Sequence, residues 1–200
     1  FRPGRATTDQ IFTLRQLSEK YLEKNRSLYC CYIDFQKAFD SVRQKGLWKA
    51  MGCFGYPSKL IRLLQALYDQ SQSTVRVNGE LTEWFKTTVG VRQGCAISPQ
   101  LFNILLELVM TMAMEEVQIG AKIQGTCINN LRFADDIVLI AETPEELQTL
   151  VDKVYKASCD LGLKVNIAKT EVQAISKSKC NLNIDIANDR LKQVEDFVTA

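Results

Sequence analysis

Apolar residues recur at helical spacing through residues 7–24, where Ile11, Leu14, Leu17, Tyr21 and Leu22 share one face. That period predicts an amphipathic helix. It opens on Thr7-Thr8-Asp9-Gln10, which has the spacing of a capping box. Leu28 to Ile33 (LYCCYI) is short and unbroken in its apolarity, as expected of a strand covered on both faces. It runs into Asp34. Residues 44–53 and 58–69 predict two short helices, broken around Gly55-Tyr56-Pro57. Thr74 to Val77 and Leu81 to Val89 flank Asn78-Gly79, a hairpin signal.

Ser98-Pro99 predicts the next helix start, with serine as cap and proline at the first helical position. Leu101, Leu105, Leu108 and Met112 form its apolar face. Residues 127–133 and 137–141 read as strands around Ala134-Asp135-Asp136. Thr143-Pro144-Glu145-Glu146 caps a further helix, with Leu147, Leu150, Val151 and Val154 inward and Gly162 at its exit. Residues 170–176 and 182–186 are expected as edge strands. The chain shows no internal repeat. The mixed order of elements predicts an α+β fold, an antiparallel sheet with helices on one side.

Composition narrows the chemistry. A length of 200 residues suits one domain, or one domain and part of another. An apolar content of 46% can bury a core. No run of about 18 apolar residues occurs, so no membrane span is expected, and the first ten residues lack the apolar stretch of a signal peptide. The net charge of +2 is unevenly placed. Residues 1–100 carry 15 Lys and Arg against 8 Asp and Glu, whereas residues 101–200 carry 10 against 15. A basic half beside an acidic half fits a polyanion met by one region and cations held by another. The absence of histidine excludes Ser-His-Asp triads, histidine zinc sites and imidazole bases. Seven cysteines, an odd number with no C-x-x-C, read as reduced thiols of an intracellular protein, with Cys30 and Cys31 as small core residues.

Three segments carry candidate chemistry. In Leu131 to Ile140, Asp135 and Asp136 lie side by side between two apolar strands. Adjacent buried carboxylates repel, and each is costly to desolvate; the plainer alternative is an exposed turn, which aspartate favours. Asp34 stands at the end of an apolar strand, where it serves either as a turn or cap residue or as a third acid beside Asp135, 101 positions away. Carboxylates converging at strand ends make an oxygen site for Mg²⁺ shared with substrate phosphates. A metal pair about 4 Å apart can serve phosphoryl transfer. Between Gly90 and Pro99, Gly90 and Gly94 allow close backbone approach, and Arg92 and Gln93 offer donors to a phosphate, sugar or base. The alternative there is a glycine loop leading into a helix.

Taken in order, FRPGR with TTDQ, YIDFQKAFD, GVRQGCAISPQLFN, FADD and LGLKVNIAKTE resemble the reverse transcriptase domain of non-long-terminal-repeat retrotransposons, with group II intron reverse transcriptases as near relatives. The resemblance spans nearly the whole chain. It implies the palm of a right-hand polymerase with part of the fingers: residues 1–27 and 42–95 as fingers-side and palm inserts, 28–41 and 96–200 as palm. It implies RNA-directed DNA synthesis, with an RNA template, a DNA primer and deoxynucleoside triphosphates as partners, no membrane, and two Mg²⁺ ions for which Mn²⁺ substitutes. By motif, Asp34, Asp135 and Asp136 are metal ligands, joined by the Phe35 carbonyl. Ala38 and Phe39 line the nucleotide, Phe39 as the aromatic that excludes a ribose 2′-hydroxyl. Gln93 and Gly94 line the nucleotide and templating pair. Lys169 matches a lysine proposed to protonate pyrophosphate, and Arg2, Arg5 and Arg92 lie where template is touched. Phe39 reads otherwise as a core aromatic, Lys169 as a solvated lysine and Asp40 as a helix cap. The fingertip hairpin is expected before Phe1, and the primer grip and thumb after about Val194 to Val198, so the chain is expected to be an excerpt or a degraded copy of a longer polyprotein. Phe133 stands where many relatives carry tyrosine. Two rivals stay open: a relic that binds RNA without chemistry, and another palm enzyme such as an RNA-templated RNA polymerase or a nucleotide cyclase.

Overall fold

The computed structural model describes residues 6–195. Helix α1 spans Thr7–Glu23, strand β1 Leu28–Ile33, and helices α2 Ala38–Ser41, α3 Gln44–Cys53 and α4 Ser58–Asp69 follow. Short strands β2 (Gln72–Ser73), β3 (Arg76–Val77), β4 (Glu80–Leu81) and β5 (Phe85–Lys86) form a two-tier hairpin. Its turn is Asn78-Gly79, both with positive φ, as a type I′ turn requires. Helix α5 (Ser98–Met114) leads to a second hairpin, β6 (Ala121–Ile123) and β7 (Thr126–Ile128), and then to β8 (Asn130–Phe133), β9 (Asp136–Ala141) and α6 (Pro144–Leu161). The described chain ends with β10 (Glu171–Ile175), β11 (Asp185–Ile186), β12 (Asp189–Arg190) and β13 (Lys192–Val194).

The central sheet runs β13-β10-β1-β9-β8. The unbroken apolarity of β1 has its reason here: it is flanked by antiparallel β10 and β9 and covered on both faces. Cys31 and Ile33, with Ile137 and Leu139, face the larger core built with α3, α5 and α6. Leu28, Cys30 and Tyr32, with Ile140, face a smaller core completed by Leu17 and Tyr21 of α1 and by Ala121. The helices therefore lie on both sides of the sheet rather than on one. The Tyr21 hydroxyl ties α1 down, donating to Glu142 Oε1 at 2.6 Å and accepting the Lys122 N–H at 2.7 Å.

Other departures have local causes. The first helix is capped one residue early: the Asp9 carboxylate accepts the Ala6 N–H at 3.2 Å, and no threonine acts as cap. Ile11 is exposed, because α1 covers the sheet only with its later turns. Likewise Ile97, not Ser98, caps α5. That helix is buried nearly all round, while Met112 points out. The strand expected over 127–133 divides between β7 and β8, where Gly120 packs against the backbone so closely that a Cβ would meet the Ile128 carbonyl at 2.7 Å. Strand β10 is interior, not an edge; the edge is β13, which pairs with it in parallel. Among the described residues no helix is long and apolar enough to cross a membrane.

Candidate active site

Strand β1 ends at Ile33, and β9 begins at Asp136. Their antiparallel register pairs Ile33 with Ile137, so Asp34 comes level with Asp136 at the same end of the central ladder. Side chains alternate along a strand. Asp34 therefore continues the face of Cys30 and Tyr32, and Asp136 that of Val138 and Ile140, which is the face α1 shields at its far end. The acid end is open: Asp34 is half-buried and Asp136 exposed. The turn from β8 to β9 is Ala134-Asp135, closed by the pairing of Phe133 with Asp136. Ala134 holds φ +54°, a conformation that costs an L-residue about 1–2 kcal/mol. This strained turn sets Asp135 at the tip, beside Asp136.

The charges register one another. Partial burial of its carboxyl pushes the Asp136 pKa above the usual carboxylate range, and the negative charges of Asp135 and Asp34 push it further. Among the described residues, no three His, Cys, Asp or Glu side chains are gathered tightly enough to hold a metal ion by themselves. The donor set nonetheless fits Mg²⁺, a hard cation that takes one or two carboxylates and fills its octahedron with water and substrate phosphates.

Asp34 is braced by the segment after α6. The Asn166 side-chain amide donates to Asp34 Oδ2 at 2.9 Å, and its backbone N–H donates to the Asp34 carbonyl at 2.8 Å. The Asp34 N–H donates to Thr170 Oγ1 at 3.4 Å, and that hydroxyl donates to the Asn166 carbonyl at 2.9 Å. Phe35 bridges Val165, and the Gln36 N–H donates to the Lys164 carbonyl at 2.8 Å. The Phe35 ring is buried, so what it can offer a ligand is its backbone carbonyl. Lys169 sits exposed in the same turn that carries Asn166. Asn166 and Thr170 were not singled out from the sequence, although both stand in LGLKVNIAKTE as uncharged polar residues beside Lys164, Lys169 and Glu171.

The glycine loop packs on the chain just beyond Asp34. The Val91 N–H donates to the Phe39 carbonyl at 2.9 Å and the Gly90 N–H to the Val42 carbonyl at 2.8 Å. Ala38 is buried, and half-buried Phe39 stacks on Phe102 with ring centroids 5.1 Å apart. Phe39 is thus a ring wedged on the core with part of its surface left open. Gln93 Nε2 donates to Asp40 Oδ1 at 2.8 Å; Asp40 is a partner of the glycine loop as well as a first-turn residue of α2. Of the two glycines, Gly90 makes the close approach and Gly94 faces open space. Arg92 is drawn to the end of α4, donating to Ser71 Oγ and the Leu67 carbonyl, each at 3.0 Å, with its guanidinium 5.8 Å from the centre of the Tyr68 ring. Beside it an open groove of about 720 Å³ lies between Gln72, Trp84 and Gln93. Arg2 and Arg5 lie outside the described residues.

A family model described as reverse transcriptase (RNA-dependent DNA polymerase) matches residues 1–190. The chain is 34% identical over 160 residues to the Pol polyprotein of the type-2 retrotransposable element R2DM of Drosophila melanogaster. That match covers 78% of this chain and 15% of the polyprotein. Apo telomerase from Candida tropicalis, truncated from its C-terminal domain, superposes with a TM-score of 0.67 at 20% identity, over 88% of this chain and 36% of that one. Telomerase of the same organism, in complex with a fragment of telomeric RNA, gives 0.63 at 18% identity, over 84% and 29%. The telomerase likeness shows the α+β polymerase fold, and the chain spans about a seventh of the retrotransposon polyprotein. With the family model over nearly its whole length, the chain belongs to the reverse transcriptase (RNA-dependent DNA polymerase) family, as a domain of the non-long-terminal-repeat retrotransposon type.

Proposed function

We propose that the chain is the catalytic core of an RNA-directed DNA polymerase, which extends a DNA primer 3′-hydroxyl along an RNA template with deoxynucleoside triphosphates. The observation that carries this reading is the register of β1 and β9, which levels Asp34 with Asp136 at the uncovered end of the sheet. In this reading Asp34, Asp135 and Asp136, with the Phe35 carbonyl, hold two divalent cations, Mg²⁺ or Mn²⁺ in its place. Such ions, when bound, neutralise phosphate charge and lower the pKa of the attacking hydroxyl. The protein's own share is positioning, which is most of what phosphoryl transfer asks of an enzyme. Phe39, fixed from behind by Phe102, forms the wall against a 2′-hydroxyl. Ala38 lies beneath the sugar, and Gln93 and Gly94 border the nascent pair. Lys169, exposed beside the acids' brace, is the proton donor to pyrophosphate, and Arg2, Arg5 and Arg92 meet template phosphates. By the same family assignment, residues 28–41 and 96–200 form the palm, with 1–27 and 42–95 on its fingers side. An intracellular setting suits the seven free cysteines.

Primer extension on a primed RNA template with dNTPs tests this. Asp135→Ala abolishes extension while the melting temperature stays within a few degrees of wild type. Extension by that variant at the wild-type rate refutes the assignment. Template binding in EDTA without any incorporation by the unsubstituted chain would instead favour the RNA-binding relic, and preference for NTPs an RNA-making palm enzyme.

A further inference from the structure

We propose that Asn166 is a positioning residue, whose side-chain amide sets the orientation in which Asp34 meets a divalent cation. The inference rests on the reading of Asp34 as a metal ligand. Asp34 stands just past the end of β1, where the ladder no longer fixes its side chain. Two anchors replace the ladder. The backbone of residues 34–36 is laid along 164–166 by the Asn166 N–H to Asp34 carbonyl bond, the Phe35–Val165 bridge and the Gln36 N–H to Lys164 carbonyl bond. The carboxylate is then held by Asn166 Nδ2, which donates to Oδ2 at 2.9 Å. That contact occupies Oδ2 and restrains the rotamer, and it leaves Oδ1 outside the bond to Asn166.

The chemistry of the donor fits the task. A lysine or arginine at position 166 would compete with a cation for the Asp34 charge. A carboxamide orients the carboxylate and leaves that charge in place. Ligating carboxylates are themselves commonly hydrogen-bonded by outer-shell partners, whose loss typically costs 10–100-fold in metal affinity. The brace is also well seated: Thr170 is fully buried, and its hydroxyl bonds both the Asp34 N–H and the Asn166 carbonyl. Thr170 therefore steadies the backbone of the turn, and among the described residues it is Asn166 whose side chain donates to the carboxylate.

Mn²⁺ binding to the 200-residue chain, followed by electron paramagnetic resonance beside thermal melts, separates the roles. Asn166→Leu, close in shape and lacking a donor, weakens Mn²⁺ binding by about 10–100-fold with little change in melting. Asn166→Ala carries the same expectation where the leucine variant fails to fold. Thr170→Val lowers the melting temperature more than it changes the Kd for Mn²⁺. Asp34→Asn abolishes the same binding event. Wild-type affinity in both Asn166 variants, with Asp34→Asn still deficient, overturns the positioning role and leaves the metal reading standing. Equal weakening by Thr170→Val and Asn166→Leu also overturns it, since general loosening of the turn would then explain both. No Mn²⁺ binding by the wild type, or normal binding by Asp34→Asn, overturns the metal reading and the positioning role together.

Discussion

Gly90→Ala measures how tightly the glycine loop is pressed onto the segment that follows Asp34. Gly90 has φ +91°, which an L-residue adopts at a cost of order 1–3 kcal/mol. A Cβ there would also lie 3.0 Å from the Asp40 carbonyl oxygen and 3.2 Å from the Asp40 Cα. Those atoms are backbone, so relief requires moving the chain between Phe39 and Val42, which is held to Gly90 and Val91 by two hydrogen bonds of 2.8 and 2.9 Å. Forced overpacking of this kind costs about 1–3 kcal/mol more. A total near 3 kcal/mol lowers the melting temperature of a chain this size by roughly 6–12 °C. Gly94→Ala is the internal control: its φ is +79° and a Cβ would meet nothing within 4 Å, so it bears backbone strain alone. Urea titration of the two variants gives both free energies, and their difference is the close contact. Equal destabilisation by the two, or tolerance of Gly90→Ala within about 0.5 kcal/mol, would refute the reasoning.

Asp136→Asn bears on the charge cluster. The folded chain raises the Asp136 pKa, through burial and then through Asp135 and Asp34, so the folded state holds that proton more tightly than the unfolded state. Stability from this group is complete below the unfolded carboxyl pKa of about 4 and is lost as pH rises through the folded value. The asparagine variant is therefore more stable than wild type at pH 7, and its advantage vanishes below about pH 4; denaturant titrations at both pH values check this, and an advantage that grows on acidification would contradict it. Thr143→Ala removes the acceptor of the Glu146 N–H at 3.2 Å and costs about 1 kcal/mol, read as a lower melting temperature. Phe39→Val opens the wall beside the sugar and raises NTP relative to dNTP incorporation about tenfold or more, the scale of opening an apolar pocket by a methylene or so; an unchanged ratio would leave Phe39 a core residue only.

Elements with local punctuation were legible in the sequence. Strand β1, helices α3 and α4, and the Thr143-to-Gly162 helix stand where period, caps and glycines put them. Features decided by partners far along the chain were not. Whether 170–176 is an edge or an interior strand depends on β13, whose pairing has no local mark. The second covered face depends on α1 crossing the sheet, which its own period allows but does not specify. At the site, the three acids were readable as candidates because charge at the end of an apolar run is conspicuous. Asn166 was not, since its bond to Asp34 spans 132 positions and asparagine near a turn has an ordinary local explanation.

The placement of the acids is governed by apolar residues. Strands β1 and β9 can pair in any register as far as backbone hydrogen bonds are concerned. Their alternation discriminates: Ile137 and Leu139 belong to the larger core, and Val138 and Ile140 to the smaller. A slip of one position would exchange the faces, sending Asp136 toward α5 and α6 and bringing Ile137 to the open end. Burying that unpaired carboxylate would cost several kcal/mol, far more than the repulsion relieved by parting it from Asp34. The registry that satisfies two hydrophobic cores thus forces two like charges together at the strand ends. What remains local is the third acid, which depends on the strained Ala134 turn and would move if that turn relaxed.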